Sequence, residues 1–406
     1  MTINNKNKKP NVPNLRFKEF QGEWEKCKVS DLLDFYSTNS LSWDKLEYGT
    51  DAIQNLHYGL IHVGLPTMID LSKDKLPNIT NGNTPKNYEF CQEGDVAFAD
   101  ASEDTNEVAK AVEFYKLNGK DVICGLHTIH GRDNKNKTVV GYKGYAFSSM
   151  SFHHQIRRIA QGTKIYSINS KNFSECYVGI PSKDEQQKIA DLLRLIEERI
   201  ATQNKIIEKM QTLIKGIVDS TILRKEKNAI VGDVCSISEQ IRAEANIDDI
   251  ITVRLHGNGV CKSSAENLQL GATQYYRRRA GQLIYGKQNF HNGAIGIVPI
   301  SLDNGITSKD IPSFDIDEMK CNSVYLLAQL QSPQYYKPAE ALTTGTGSKR
   351  LKEETFLKMP IVLPNKREQD NIATLIISIS ANLDQAKKML DLFSIQKQYL
   401  LRQMFI

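Results

Sequence analysis

His127 and His130 sit three residues apart in GLHTIHGRD, with Thr128 between them and Arg132 two residues further on. Imidazoles can move protons near neutral pH, but no acid or nucleophile is set beside these two by motif. Contact with phosphates or base edges is the use that His, Thr and Arg share. Asp303, Glu318 and Lys320 form an acid–acid–lysine pattern of the kind that holds magnesium in nucleases, although any charged loop can produce it. Other catalytic patterns are missing. Gly345-Thr346-Gly347-Ser348-Lys349 lacks the spacing of a phosphate loop, and the sequence has no GxSxG, HExxH or GxGxxG. The Asn/Asp-Pro-Pro-aromatic motif of a DNA methyltransferase is also missing. The seven cysteines (Cys27, Cys91, Cys124, Cys176, Cys235, Cys261, Cys321) are scattered, odd in number and free of CxxC spacing. They read as reduced thiols in a cytoplasmic protein with no metal site.

The inventory for nucleic acid is richer. The first half offers Lys73, Lys75, Lys86, Lys135, Lys137 and Lys143 around His127, Thr128, His130 and Arg132, with Asn81 and Asn83 interleaved. The second offers Arg254, His256, Arg277, Arg278, Arg279, Lys287, Gln288, Asn289, His291 and Lys309. Arg and Lys read guanine or neutralise phosphates, while Asn and Gln read adenine. Tyr275 and Tyr276, ahead of the arginine run, suit either base stacking or a core. The net charge of +5 permits such binding without demanding it. No apolar run is long enough for a membrane span.

Two long helices must position these residues. From Ile189, steps of four and three reach Leu193, Ile196, Ile200, Gln203, Ile207, Met210, Ile214, Ile217 and Thr221, a heptad seam. Pro181 and Ser182, with Glu185 three residues after the serine, form an N-terminal signature. About forty residues make a rod of roughly 60 Å, suited to holding two domains apart. The pattern returns 183 residues later with Pro364, Glu368, Gln369 and the seam Ile372, Ile376, Ile379, Leu383, Ala386, Leu390, Phe393, Lys397 and Leu400. Gly162-Thr163 matches Gly345-Thr346, and Phe173 matches Phe356, at the same offset. The chain is therefore an internal duplication whose two helices pair most simply with each other.

The boundaries follow. Residues 1–14 form a disordered basic tail, 15–180 a first unit, 181–223 a long helix, 224–363 a second unit and 364–406 a second long helix. Val29-Ser30-Asp31 aligns with Val231-Gly232-Asp233, and QEGDVAFAD with RAGQLIYGK, so the units agree at their ends and differ in the middle. The first carries about 19 extra residues by this alignment. Short apolar runs between turn residues read as strands. They include YGLIHVGLP, KTVVGYKGYAF and HQIRRIAQG in the first unit and SVYLLAQL in the second, giving a mixed α/β (α+β) fold.

IPSKDEQQKIADLL and LPNKREQDNIATLI opening the helices, the Gly-Thr turns and phenylalanines before them, GDVAFAD, and NVPNLRFKEFQGEW near the start resemble the specificity subunit of a type I restriction-modification system, over nearly the whole chain. The resemblance implies two target recognition domains joined by helices that pair as an antiparallel coiled coil. Each domain would read one half of a split, asymmetric site on double-stranded DNA. The helices would set the gap and dock two methyltransferase subunits, with Glu185, Gln186, Glu368 and Gln369 matching the pattern there. Two restriction subunits, motor-nucleases, would complete the complex. S-adenosylmethionine, ATP and Mg would belong to those partners, and this chain would bind no cofactor and catalyse nothing. Two other readings carry different tests. A protein adaptor would fail to bind DNA with a methyltransferase present, and a nuclease using Asp303, Glu318 and Lys320 would cut alone with magnesium.

Overall fold

A computed structural model describes residues 10–263, 273–345 and 349–406. Most of the expected basic tail, and Thr346 of the second Gly-Thr turn, lie outside these residues. The chain divides into two compact units, Met1–Gln203 with Met389–Ile406, and Asn204–Lys388.

In the first unit a five-stranded sheet runs in the order Asp34–Tyr36, Thr128–Arg132, Val96–Ala99, Ala111–Lys116 and Met68–Asp70, antiparallel except for the last pair. Val96–Ala99 is buried on both faces, which explains its unbroken apolar run. A four-stranded sheet holds Val122–Cys124, Gln54–Leu56, Asn78–Ile79 and Leu46–Glu47. Phe98, Phe147, Phe152 and Phe173 meet edge to face in the main core. Each such buried ring contributes about 1.5–3 kcal/mol.

The second unit repeats the frame. Its four-stranded sheet runs Cys235–Ile237, Ser313–Ile316, Leu283–Tyr285 and Ile295–Ile297. Val96 lies opposite Gly131 in the first unit, and Leu283 opposite Phe314 in the second, which is the same register at the duplication offsets. The Tyr142 hydroxyl donates to the carbonyl of Gly179 at 2.7 Å, and that of Tyr325 to Val362 at 3.1 Å. The rings of Phe98 and Phe173 are 4.8 Å apart, and those of Tyr285 and Phe356 4.7 Å. The ends of each unit also meet in the same way. The Val29 N–H donates to Cys176, and the Val231 N–H to Met359, both at 2.9 Å.

Four runs expected as strands are helices instead. Tyr58–His62 starts where the His57 side chain accepts from the Gly59 N–H. Lys143–Phe147 is a short helix in the core, and Met150–Ile159 is capped by Ser149 and buries Phe152 and Ile156. Ser323–Leu330 is capped by Asn322, whose side chain accepts from Val324 and Tyr325. In the last two, a polar cap directly before the apolar run directs the chain into a helix.

The long helices cover Lys183–Val218, followed by a π turn at Asp219–Leu223, and Lys366–Gln403. In the first unit Ile189, Leu193 and Ile196 share a core with Leu400, Met404 and Phe405. In the second, Val218 and Ile222 share one with Ile372, Ala373 and Ile376. The start of one helix thus lies beside the end of the other, so the pair is antiparallel. Along the remaining seam, Ile379, Leu383 and Ala386 are buried. Ile200, Gln203, Ile207, Met210, Ile214, Ile217, Leu390, Phe393 and Lys397 are half-buried. Lys397 ties the pair further, with its ammonium 2.5 Å from Glu197. No described helix is long and apolar enough to cross a membrane.

Candidate nucleic-acid interface

The strand Thr128–Arg132 places Thr128, His130 and Arg132 on one face by its two-residue period, and that face is internal. Thr128 donates to the carbonyl of Gly125 at 2.6 Å. His130 Nε2 lies 2.7 Å from Asp95, and Arg132 donates to the same carboxylate at 2.9 and 2.8 Å. Burial works against the Asp95 charge, but the His130 and Arg132 donors outweigh it and hold its carboxyl below the ordinary range. Arg132 also reaches Glu89 at 2.8 Å. Lys143 is 3% exposed and 3.4 Å from the buried Glu113. The expectation that Thr128, His130, Arg132 and Lys143 contact DNA is therefore corrected, because their polar groups are spent inside the unit.

Arg278 is corrected in the same way. Its guanidinium is fully buried and donates to Thr307 Oγ1 (2.7 Å), Ser313 Oγ (2.8 Å) and the carbonyl of Ile311 (3.0 Å). Burial pulls its pKa down to about 10. Tyr275 and Tyr276 are core residues. The nuclease pattern has no shared site. Asp303 accepts the Ala280 N–H, while Lys320 pairs with Asp317.

Glu185, Gln186 and Gln369, expected as docking residues, are also internal. Arg16 donates to Glu185 at 2.7 and 2.8 Å, and the Trp24 indole does so at 3.3 Å. Gln186 Nε2 donates to the carbonyls of Lys137 and Pro181, and Oε1 accepts from the Val139 N–H. Gln369 repeats this with the carbonyls of Lys320 and Pro364 and the Asn322 N–H. Each glutamine therefore fixes the start of its long helix to the unit before it. Glu368 is half-buried and pairs with Lys225.

The remaining candidates reach solvent. Lys73, Lys75, Asn81, Lys86 and Lys135 are exposed, Asn83 half-buried. Lys137 is half-buried and pairs with Glu25 at 2.7 Å. His127 is exposed, with a left-handed φ of 54° and Nδ1 3.1 Å from Asp100. It joins a group that the sequence did not reveal. Its ring is 5.2 Å from Tyr58, Tyr58 is 4.7 Å from His57, and His57 is 4.5 Å from Trp43. Trp43 is 45% exposed. His57 is buried within the group, while Trp43, Tyr58 and His127 reach solvent, and rings of this kind can stack on bases. Reading YGLIHVGLP as a strand hid them, since a strand assigns Tyr58 to a sheet face.

In the second unit the loop at 254–259 is held against the turn at 289–293. The His256 N–H donates to Asn292 at 2.7 Å, and that of Gly257 to Gly293 at 2.9 Å. This brings the exposed Arg254 and His256 to the same edge as Gln288, Asn289 and His291. Arg277, Arg279 and Lys309 are exposed, while Lys287 pairs with Glu353 at 2.7 Å.

The sequence model of the type I restriction modification DNA specificity domain matches residues 75–212. The fold is that of the crystallised type I restriction-modification S subunit from M. genitalium, with a TM-score of 0.60 at 13% identity over 97% of this chain and 99% of that one. The family model, the curated relative and the solved structure that this chain resembles are all type I restriction-modification specificity domains or subunits. The type I restriction enzyme MjaVIII specificity subunit of Methanocaldococcus jannaschii is 20% identical over 68% of this chain and 78% of its own length. A chain from a structure describing complex assembly and conformational transition of the type I R-M system matches 93% of this chain and 96% of its own length, at a TM-score of 0.52 and 13% identity.

Proposed function

We propose that each unit reads one half of a split, asymmetric DNA target, and that the antiparallel helices set the gap between the halves. The supporting observation is the duplication itself: one hydrogen-bond frame occurs twice, in matching register, around middles that differ. A duplex has a local twofold axis, so a repeated frame can meet it twice, with half-sites about one helical turn, near 34 Å, apart. Differing middles give differing half-sites. In the first unit the reading residues are the group of Trp43, Tyr58 and His127 with Lys73, Lys75, Asn81, Asn83, Lys86 and Lys135. In the second they are Arg254, His256, Arg277, Arg279, Gln288, Asn289, His291 and Lys309.

The units correspond to target recognition domains at 15–180 and 224–363. Two methyltransferase subunits dock on the long helices, and two restriction subunits complete the complex. S-adenosylmethionine, ATP and magnesium belong to those partners, and the complex works in the cytoplasm. Docking uses exposed apolar helix residues such as Leu195, Leu213, Leu392 and Ile395 in place of the buried Glu185, Gln186 and Gln369.

The test is a methylome. The chain is expressed with its cognate methyltransferase subunit in a host lacking adenine methylation, and methyladenine is mapped by sequencing. The expected result is a two-part asymmetric motif with a fixed gap, absent when this chain is omitted. A stable complex that leaves no motif would overturn the reading and favour a protein adaptor.

A further inference from the structure

We propose that Cys91, Cys124 and His130 form a structural site for one zinc-class ion inside the first unit. The three residues lie on separate segments: Cys91 before the turn into Val96–Ala99, Cys124 at the end of Val122–Cys124, and His130 within Thr128–Arg132. Folding brings their ligand atoms within 4.8 Å of one another, and among the described residues this is the His/Cys/Asp/Glu group close enough to share an ion. All three are buried, at 5%, 1% and 0% exposure. The sulfurs are 3.6 Å apart. Two thiolates bound tetrahedrally to zinc at about 2.3 Å each would stand about 3.8 Å apart.

The imidazole adds a separate observation. Asp95 faces Nε2 at 2.7 Å, which assigns the ring proton to that nitrogen. Nδ1 then carries a lone pair, and it is a buried atom with no hydrogen-bond partner. An orphaned polar atom in a core is unfavourable unless something satisfies it. Asp95 is itself held by Arg132 and by the Gln92 N–H at 2.8 Å. A carboxylate that orients a ligating histidine from behind is the usual outer support of a zinc ligand. Buried cysteines also occur as small apolar fillers, but filling space does not account for the free Nδ1.

The second unit shows what the same place holds in the other copy. The Cys91 N–H donates to Val122 at 2.8 Å, and the Arg278 N–H donates to Gly305 at 2.7 Å, which aligns the two positions. At the offset of 183, Cys124 corresponds to Thr307 and His130 to Ser313, the two hydroxyls that accept from the Arg278 guanidinium. The second copy therefore fills this place with a cation of its own and neutral oxygens around it. The first copy has no cationic side chain at the position of Arg278, and presents two thiols and an imidazole in its stead.

Binding moves two thiol protons to solvent, so the ion and two thiolates sum to zero charge in the core. Among the described residues no fourth His, Cys, Asp or Glu joins the three, so a water would have to complete the tetrahedron. Zinc changes no oxidation state, and the ion would tie both sheets of the unit together.

The full chain, reduced and stripped by chelation, is titrated with Co(II) alone and then with Zn(II). One equivalent of cobalt should give thiolate-to-cobalt absorption that equimolar zinc abolishes. In denaturant, zinc should also leave two of the seven thiols slower to alkylate than the rest, and it should raise the melting temperature. Cys124→Ser should lose the cobalt bands, and Cys261→Ser, outside the cluster, should keep them. If Cys124→Ser does not fold, the wild-type cobalt spectrum and thiol count decide the matter. Failure of the reduced chain to take up a stoichiometric metal overturns the proposal. So does a Cys91–Cys124 disulfide that reforms in the purified protein and shuts cobalt out.

Discussion

Gln186 and Gln369 each make three hydrogen bonds to buried or half-buried main chain, and neither side chain has an apolar substitute of the same shape. Gln186→Ala or Gln369→Ala should each destabilise its own unit by roughly 2–4 kcal/mol, because truncation strands one N–H and two carbonyls. Chemical denaturation measures this, and a loss below about 0.5 kcal/mol would remove the glutamines from the frame. At this scale the sequence was a partial guide. It marked Gln186 and Gln369 as special by their repetition, but composition cannot distinguish a glutamine facing a partner from one facing its own main chain. Thr128, His130 and Arg132 were misplaced for a related reason. Their two-residue spacing does put them on one face of a strand, but whether that face is wet depends on Asp95, 33 residues before Thr128 and its neighbours in space only.

Among elements, the long helices were the most legible, since their seams repeat over many turns and leave a period that no strand can mimic. The short elements were not. Lys143–Phe147 and Ser323–Leu330 carry apolar runs that fit a strand as well as a helix, and the deciding residue in the second case is a single cap, Asn322. Helix length is where the proposed spacing role can be tested. Removing one heptad from each long helix should change the gap in the methylated motif while leaving both half-sites as they were, or should prevent assembly. The sequenced motif reports which, and an unchanged gap would end the idea that the helices measure it.

Across the whole molecule the duplication was visible as offsets that step from 202 through 187 to 183 along the unit, and those offsets turn out to be hydrogen-bond registers. Charge was harder to read. The arginine run 277–279 looks uniform in sequence, yet Arg278 is fully buried between two exposed neighbours. The double variant Arg277→Ala/Arg279→Ala should weaken DNA binding by the assembled methyltransferase and flatten the dependence of log affinity on log salt by about 1.8, if both arginines neutralise phosphates. An unchanged slope in a salt titration would place them away from the duplex.

The two ends of each unit are pinned together, Val29 to Cys176 and Val231 to Met359, immediately before a long helix that a glutamine locks in place. Everything between those pins is a closed excursion that returns to its starting point whatever its length. If the middles read DNA as proposed, drift, insertion or wholesale replacement there would alter the sequence being read and leave the pinned frame as it is. A change of middle and preservation of the frame become separable events.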